Sequence, residues 1–356
     1  MNSLFGKRLW AILSICSAIG LLGSCRSLQD SSTTATESTQ DLAQTPDPNA
    51  IELVPPIECN IGEDCFIMHY VDRDPDPNEE LDFGCGRQTY DGHKGTDFSL
   101  LDEEAMERGV PVVASAAGTV LRVRDGVLDR RATNEQVEEV EAQGIECGNG
   151  MVIDHGNGWE TQYCHLLNGS VVVQPGTEVE SGEELGLVGL SGKTQFPHVH
   201  MTVRYEGEVI DPFVGLDTAP SCNLDRRPLW DRPLDYTPTG LIRAGFSTEQ
   251  PDFDSLWEGR FSETEFDRDI PALIFWTFSY GVLEGDVQRF RMVDPEGEEF
   301  LNQESPIDAS NRTWMSFVGR RNNPDRPIVP GTWRGEYVLE RDGEVVFSIE
   351  REIQVR

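Results

Sequence analysis

Positive charge is what this chain has least of. Lys and Arg together number 29 against 63 Asp and Glu, a formal net charge of −34 over 356 residues. No basic cluster interrupts that field, so a nucleic-acid partner is excluded. The apolar run from Leu9 to Leu22 is too short for a comfortable transmembrane span. No Cys-x-x-Cys pair exists, which removes a cysteine-based zinc site. His-Glu-x-x-His and Gly-x-Ser-x-Gly are also missing, so two common hydrolase chemistries lack their machinery. Two partial motifs fail on single residues. Asp72, Asp74 and Asp76 alternate as in a calcium loop, but Pro77 and Phe83 stand where Gly and Glu are needed. Gly189 to Thr194 resembles a phosphate loop but has Leu187 where the first Gly belongs.

The N-terminus reads as a targeting signal. Lys7 and Arg8 precede the apolar run, which ends in Leu22-Gly23-Ser24-Cys25. That ending resembles a bacterial lipobox, so residues 1–24 are expected to be removed and Cys25 to carry lipid. Arg26 after the cysteine favours the periplasmic face of the outer membrane in such lipoproteins. Residues 25–50 are rich in Ser, Thr, Asp and Gln and poor in large apolar side chains, as in a disordered tether.

Six further cysteines suggest three disulfides in an exported domain. Gly150 to His155 and Trp159 to Tyr163 read as two strands joined by Gly156-Asn157-Gly158. Folding about that turn sets Cys147 opposite Cys164. Cys59 and Cys65 can close a short loop, which leaves Cys85 for Cys222.

Residues 51–222 read as all-β, with short apolar segments between Gly-rich turns. Val110–Ala114, Gly118–Val123, Ser170–Val173, Thr177–Val179 and Leu185–Val188 are among the expected strands. Only Glu135 to Ala142 has a helical pattern, inside an insertion at 124–148. Four of the six histidines fall in three short blocks. His93 and Asp97 stand four apart between Gly92 and Phe98. His165 follows Tyr163-Cys164. His198 and His200 alternate with Val199 on an expected strand, which puts both on one face. One carboxylate among imidazoles suits zinc, and three protein ligands with an open fourth position suit a catalytic site. His69 and His155 fit no part of this pattern, and His155 is expected to be structural.

These blocks resemble the lysostaphin-type, or LytM-like, zinc metallo-endopeptidases. The family pattern is H-x-x-x-D, then Tyr-x-His-Leu, then H-x-H, and all three parts occur in order within residues 93–200. The resemblance implies a compact antiparallel β peptidase domain with a narrow groove. It assigns His93, Asp97 and His200 to one Zn2+ per chain and makes His165 and His198 the catalytic pair. Which of the two does which task stays open, with His198 favoured as base because it shares a strand with a ligand. Met201 stands where the family often has an aromatic residue and is expected to be a tolerated packing change. The implied substrate is the peptide cross-links, or stem peptides, of peptidoglycan, met at the cell envelope. The alternative is a non-catalytic wall-binding or hydrolase-regulating protein, with the groove blocked by the insertion or by the segment before Cys85.

Residues 223–268 hold many Pro and acidic residues and read as a linker. From 269 to 356 a second β pattern begins, expected as a small immunoglobulin-like β-sandwich that binds the wall, a partner protein or the peptidase domain, or acts as a spacer. Val345, Phe347, Ile349, Ile353 and Val355 share one parity and so one expected buried face.

Overall fold

The computed structural model describes residues 50–356. The expected signal at 1–24, the lipid site Cys25 and the tether to residue 49 lie outside the described residues. Among those described, no helix is long and apolar enough to cross a membrane.

The first half is built on β1 (Cys65–His69), β2 (Thr96–Leu100), β3 (Pro111–Val113), β4 (Gly118–Arg124), β5 (Asn149–Gly156), β6 (Trp159–Leu166), β7 (Glu178–Val179), β8 (Glu184–Leu187), β9 (His198–Tyr205) and β10 (Glu208–Ile210). Two helices interrupt them, α1 (Glu103–Glu107) and α2 (Asn134–Gln143). The main sheet runs β1-β2-β9-β6-β5-β4-β7, with β10 also paired to β9. Every named pairing within it is antiparallel. Alternation along β9 decides what the sheet presents. Val199, Met201 and Val203 point into the core with Phe98, Ile153 and Tyr163. His198, His200 and Thr202 therefore face the other way, into a groove. Met201 is fully buried and its sulfur accepts from Ser115 Oγ at 3.1 Å, so this position is core packing. The expected strand at Ser170–Val173 is not regular; only Val172 N donates across, to Leu185 O at 3.1 Å.

Three disulfides staple this half: Cys59–Cys65, Cys85–Cys222 and Cys147–Cys164. The hairpin of β5 and β6 brings the last pair together across the sheet, as the turn chemistry required.

The second half is a two-sheet sandwich. Its strands are β11 (Gly240–Ser247), β12 (Glu265–Phe266), β13 (Ala272–Val282), β14 (Val287–Val293), β15 (Glu299–Pro306), β16 (Asn311–Arg321), β17 (Gly331–Arg341) and β18 (Glu344–Val355). One sheet runs β11-β13-β16 and the other β12-β18-β17-β14-β15. The segment expected as a linker is thus corrected. It supplies β11, β12 and the short helix α3 (Phe253–Trp257), because Gly240–Ser247 finds a complete antiparallel partner in β13. Val345 is corrected as well: it is 58% exposed. A bulge sets Leu339 opposite Phe347 but Glu340 opposite Val345, which turns Val345 off the buried face.

β13 is apolar on both faces, and both are covered. Leu273 and Phe275 pack into the sandwich with Phe290, Tyr337 and Leu339. Trp276, Phe278 and Tyr280 pack the other way, against Phe66 and Met68 of β1. Phe66 stacks on Tyr280 with ring centroids 4.8 Å apart. The sandwich is therefore joined to the peptidase-like half through a shared apolar cluster, and burial at this scale contributes about 1.5–3 kcal/mol per large side chain.

Candidate functional site

Four neighbouring strands each place one polar side chain at the same level of the sheet. Register pairs His69 of β1 with Asp97 of β2, Asp97 with His200 of β9, and His200 with Cys164 of β6. His165 follows Cys164, and His198 lies two residues before His200. The fifth ring, His93, comes from the loop before β2. Gly95 allows that loop to approach, because a Cβ there would stand 2.5 Å from His200 Nε2 and 2.6 Å from the Met201 carbonyl.

The polar atoms converge on Asp97. Its Oδ1 lies 2.8 Å from His200 Nδ1, 3.1 Å from His93 Nε2 and 3.5 Å from His198 Nε2. His93 Nε2 and His200 Nδ1 are 3.1 Å apart. His93, Asp97 and His200 form a group that can hold a metal ion. Among the described residues one other such group occurs, Cys59, Asp64 and Cys65, but there both sulfurs are committed to a disulfide.

Each ring is fixed by the atom that faces away. His93 Nδ1 donates to the Tyr70 carbonyl at 2.7 Å, His165 Nδ1 to the Ser191 carbonyl at 2.8 Å and His198 Nδ1 to the Phe196 carbonyl at 3.0 Å. A carbonyl only accepts, so each of these rings is protonated at Nδ1 and presents Nε2 inward. His200 is turned round: Nε2 meets Thr202 Oγ1 at 3.0 Å and Nδ1 faces Asp97. His165 holds its place with φ at 67°, a left-handed conformation uncommon outside glycine. Its amide donates to the Cys147 carbonyl at 2.8 Å.

Burial shapes the charge states. Burial, then the neighbouring His198 and His200, push His165 well below the ordinary imidazole range, so this ring is neutral near pH 7. Burial also lowers His200, against the pull of Asp97. Burial alone would raise Asp97, but the surrounding imidazoles hold it well below the usual carboxylate range.

All five residues singled out by motif are brought together. His155 is not; it bonds the Ala117 carbonyl and Thr161 Oγ1 at the far end of β5, a structural role. His69 was left aside on sequence, yet its Nδ1 lies 2.9 Å from Asp97 Oδ2. Burial, partly opposed by Asp97, pushes His69 down to about 4. Its only sequence signal is cross-strand register, which no local motif carries.

A groove of about 590 Å³ runs over these groups. Tyr90, Lys94 and Phe196 line it together with Arg204, and the insertion contributes Ala132, Val137 and Glu146. The insertion therefore forms part of the groove wall. Shortly before Cys85, Glu80 and Leu81 line a separate cavity.

Comparison with known proteins agrees with this geometry. Residues 91–212 match the model of peptidase family M23. The chain carries a peptidase family M23 domain, of the LytM and lysostaphin-like kind, within a nearly all-β fold. Among curated proteins, it is 31% identical over 119 residues to peptidoglycan DD-endopeptidase ShyA of Vibrio cholerae serotype O1, which is 33% of this chain and 22% of that protein. It is 32% identical over 120 residues to DD-carboxypeptidase/endopeptidase Mpg of Neisseria meningitidis serogroup B, 34% of this chain and 22% of that one. The chain thus spans about a fifth of the length of these relatives. Among solved structures, the catalytic domain of M23 protein EnpA from Enterococcus faecalis is 19% identical, covers 45% of this chain and 95% of its own, and has a TM-score of 0.30.

Proposed function

We propose that this chain is a zinc-dependent endopeptidase that hydrolyses peptide cross-links of bacterial peptidoglycan and is held at the cell envelope by lipid on Cys25. The observation that carries this reading is the convergence of His93 Nε2, Asp97 Oδ1 and His200 Nδ1 beside two further histidines that present Nε2. The donor set fits zinc. Ligands about 2.0–2.1 Å from a tetrahedral ion stand about 3.3 Å from one another. The three donors here are 2.8–3.1 Å apart, so a small outward movement admits the ion. Two imidazoles and one carboxylate leave the fourth position for water or substrate.

Bound zinc polarises a scissile carbonyl and acidifies a water. The chain's own residues handle the proton. His198 has Nδ1 committed to Phe196, so it accepts at Nε2 and returns the proton to the leaving amine nitrogen. His165, neutral and 4.6 Å away ring to ring, shares that proton traffic. Presence of all five residues disfavours the non-catalytic alternative.

Peptidoglycan is supported by the names of the relatives and by groove charge. Lys94 and Arg204 line the groove of a chain whose net charge is −34, beside Lys193, which pairs with Glu141 at 2.6 Å. Cations gathered there suit a peptide that carries free carboxylates. The test is zinc content together with release of cross-linked muropeptides, with His200→Ala as control. Zinc near one per chain and cleavage lost in the variant is the expected result. Neither zinc nor cleavage would overturn the proposal.

A further inference from the structure

The sandwich half reaches the catalytic histidine. α3 lies outside the residues that match the peptidase family, yet its last residue, Trp257, stacks on Phe196 at 5.3 Å and 21°. Phe196 in turn stacks on His198 at 4.5 Å and 26°. Behind Trp257, Phe278 of β13 closes edge-on at 4.9 Å and 82°. One column of rings therefore runs from the sandwich sheet to the imidazole. Trp257 is 6% exposed and His198 4%, so water does not separate them from the rest of the column.

α3 is held from both ends. Asp252 caps it, accepting from Ser255 N at 2.9 Å. Arg243 of β11 donates to the Leu256 carbonyl at 2.6 Å and the Gly259 carbonyl at 3.0 Å, closing the other end. The same guanidinium meets Asp102 at the start of α1, 3.1 Å away. α3 also grips the insertion. Arg131 donates to Asp254 Oδ1 at 2.8 Å, the Asp254 carbonyl at 3.1 Å and Glu103 at 2.7 Å. Its neighbour Ala132 lines the groove and bonds the Thr194 carbonyl at 2.8 Å.

We infer that Trp257 is a positioning residue for the peptidase reaction: through the face of Phe196 it fixes the plane of His198, so the C-terminal half is part of the working enzyme and not a spacer. The inference rests on the proposed role of His198 as a catalytic group. Physically, His198 is held at Nδ1 by the Phe196 carbonyl at 3.0 Å and Thr194 Oγ1 at 3.2 Å, so the tilt of its ring depends on what packs against it, Phe196 at 4.5 Å and His165 at 4.6 Å. A ring stacked on its face fixes that tilt, and a stacked aromatic pair is worth about 0.5–1.5 kcal/mol. A misaligned base loses rate while substrate binding, set by the groove walls, is kept.

The experiment compares Trp257→Leu and Trp257→Phe in the full chain with wild type. Leu keeps apolar volume but has no ring face; Phe keeps the face. Cleavage of peptidoglycan gives kcat and KM, and diethyl pyrocarbonate modification mapped by mass spectrometry reports access to His198, with His155 as internal control. Expected for Trp257→Leu is a kcat lower by about tenfold with KM nearly unchanged, faster modification of His198 and unchanged zinc content. Trp257→Phe should restore wild-type values. Wild-type kcat and modification rates in Trp257→Leu would overturn the inference. So would equal losses of kcat, zinc and melting temperature in both variants, which indicate a merely structural role. A wild type that cleaves no wall peptide, with His198 modification still faster in Trp257→Leu, would refute the hydrolase reading and leave the positioning intact.

Discussion

His69 and Asp97 face each other across β1 and β2, with Nδ1 of the ring 2.9 Å from Oδ2 of the carboxylate. Oδ1 of the same carboxylate is the atom that meets His93 and His200. His69 thus orients the carboxylate proposed as a metal ligand, and its ring meets the edge of His93 at 5.8 Å. Outer partners of this kind tune affinity by about 10–100-fold. His69→Ala should weaken zinc binding by that factor in competition with a fluorescent chelator. His69→Asn, which retains a donor, should recover part of it. Equal affinity in wild type and His69→Ala would remove His69 from the site.

Gly95 gives a second prediction. The space a Cβ would need is taken by His200 Nε2 and by the backbone carbonyl of Met201. The carbonyl belongs to the β2–β9 ladder and cannot move alone. Gly95→Ala should therefore displace His200, lower stability by about 1–3 kcal/mol and lower zinc occupancy with it. Thermal melts and metal analysis of the same sample check both. A variant with normal melting and full zinc would show that the loop has room to yield.

How much of this was legible depended on where each signal lay. His93, Asp97, His165, His198 and His200 were readable because each sits in a short block and the three blocks keep a fixed order. His69 was not, because its link to Asp97 spans 28 residues and exists only in strand register. β11 was hidden for a similar reason. Gly240–Ser247 lies among prolines and acidic residues that look like a linker, and its identity comes from pairing with β13. β13 itself carried an unread clue. Alternation predicts one wet face, yet Ala272–Val282 is apolar on both, as a strand covered on each side should be. That pattern encodes the packing of the sandwich onto β1, and through Trp257 its approach to the groove.

The Cys147–Cys164 bridge ties the end of the insertion to the residue before His165. It closes a loop of sequence separation 17, for which chain entropy gives about 3 kcal/mol. The bridge also holds the Cys147 carbonyl under the His165 amide. Replacing both cysteines with Ala should lower the melting temperature and reduce turnover more than the loss of folded protein explains. Activity per folded molecule, measured well below the melting transition, separates the two effects. Unchanged turnover of the folded fraction would limit the bridge to stability.

Asp211 sets a pH dependence away from the candidate metal site. It is buried at the turn after β10, where Oδ1 accepts from Phe213 N at 3.0 Å and Oδ2 lies 3.5 Å from Arg73 Nη1. Burial outweighs the guanidinium and raises Asp211 from 3.8 to about 6. Arg73 is occupied elsewhere, donating to the carbonyls of Asp217, Ala219 and Ser221, which weakens its hold on the carboxylate. The folded chain therefore binds this proton more tightly than the unfolded chain does. Stability from this group is fully present below about pH 4 and is lost as pH rises to about 6, a change of about 3 kcal/mol. Asp211→Asn mimics the protonated acid and cannot titrate. Relative to that variant, wild type should lose stability between pH 4 and 6 in denaturant unfolding, then hold a constant deficit above pH 6. A stability difference that is flat across this range, or that grows in favour of wild type, would mean that the Arg73 charge governs Asp211 after all.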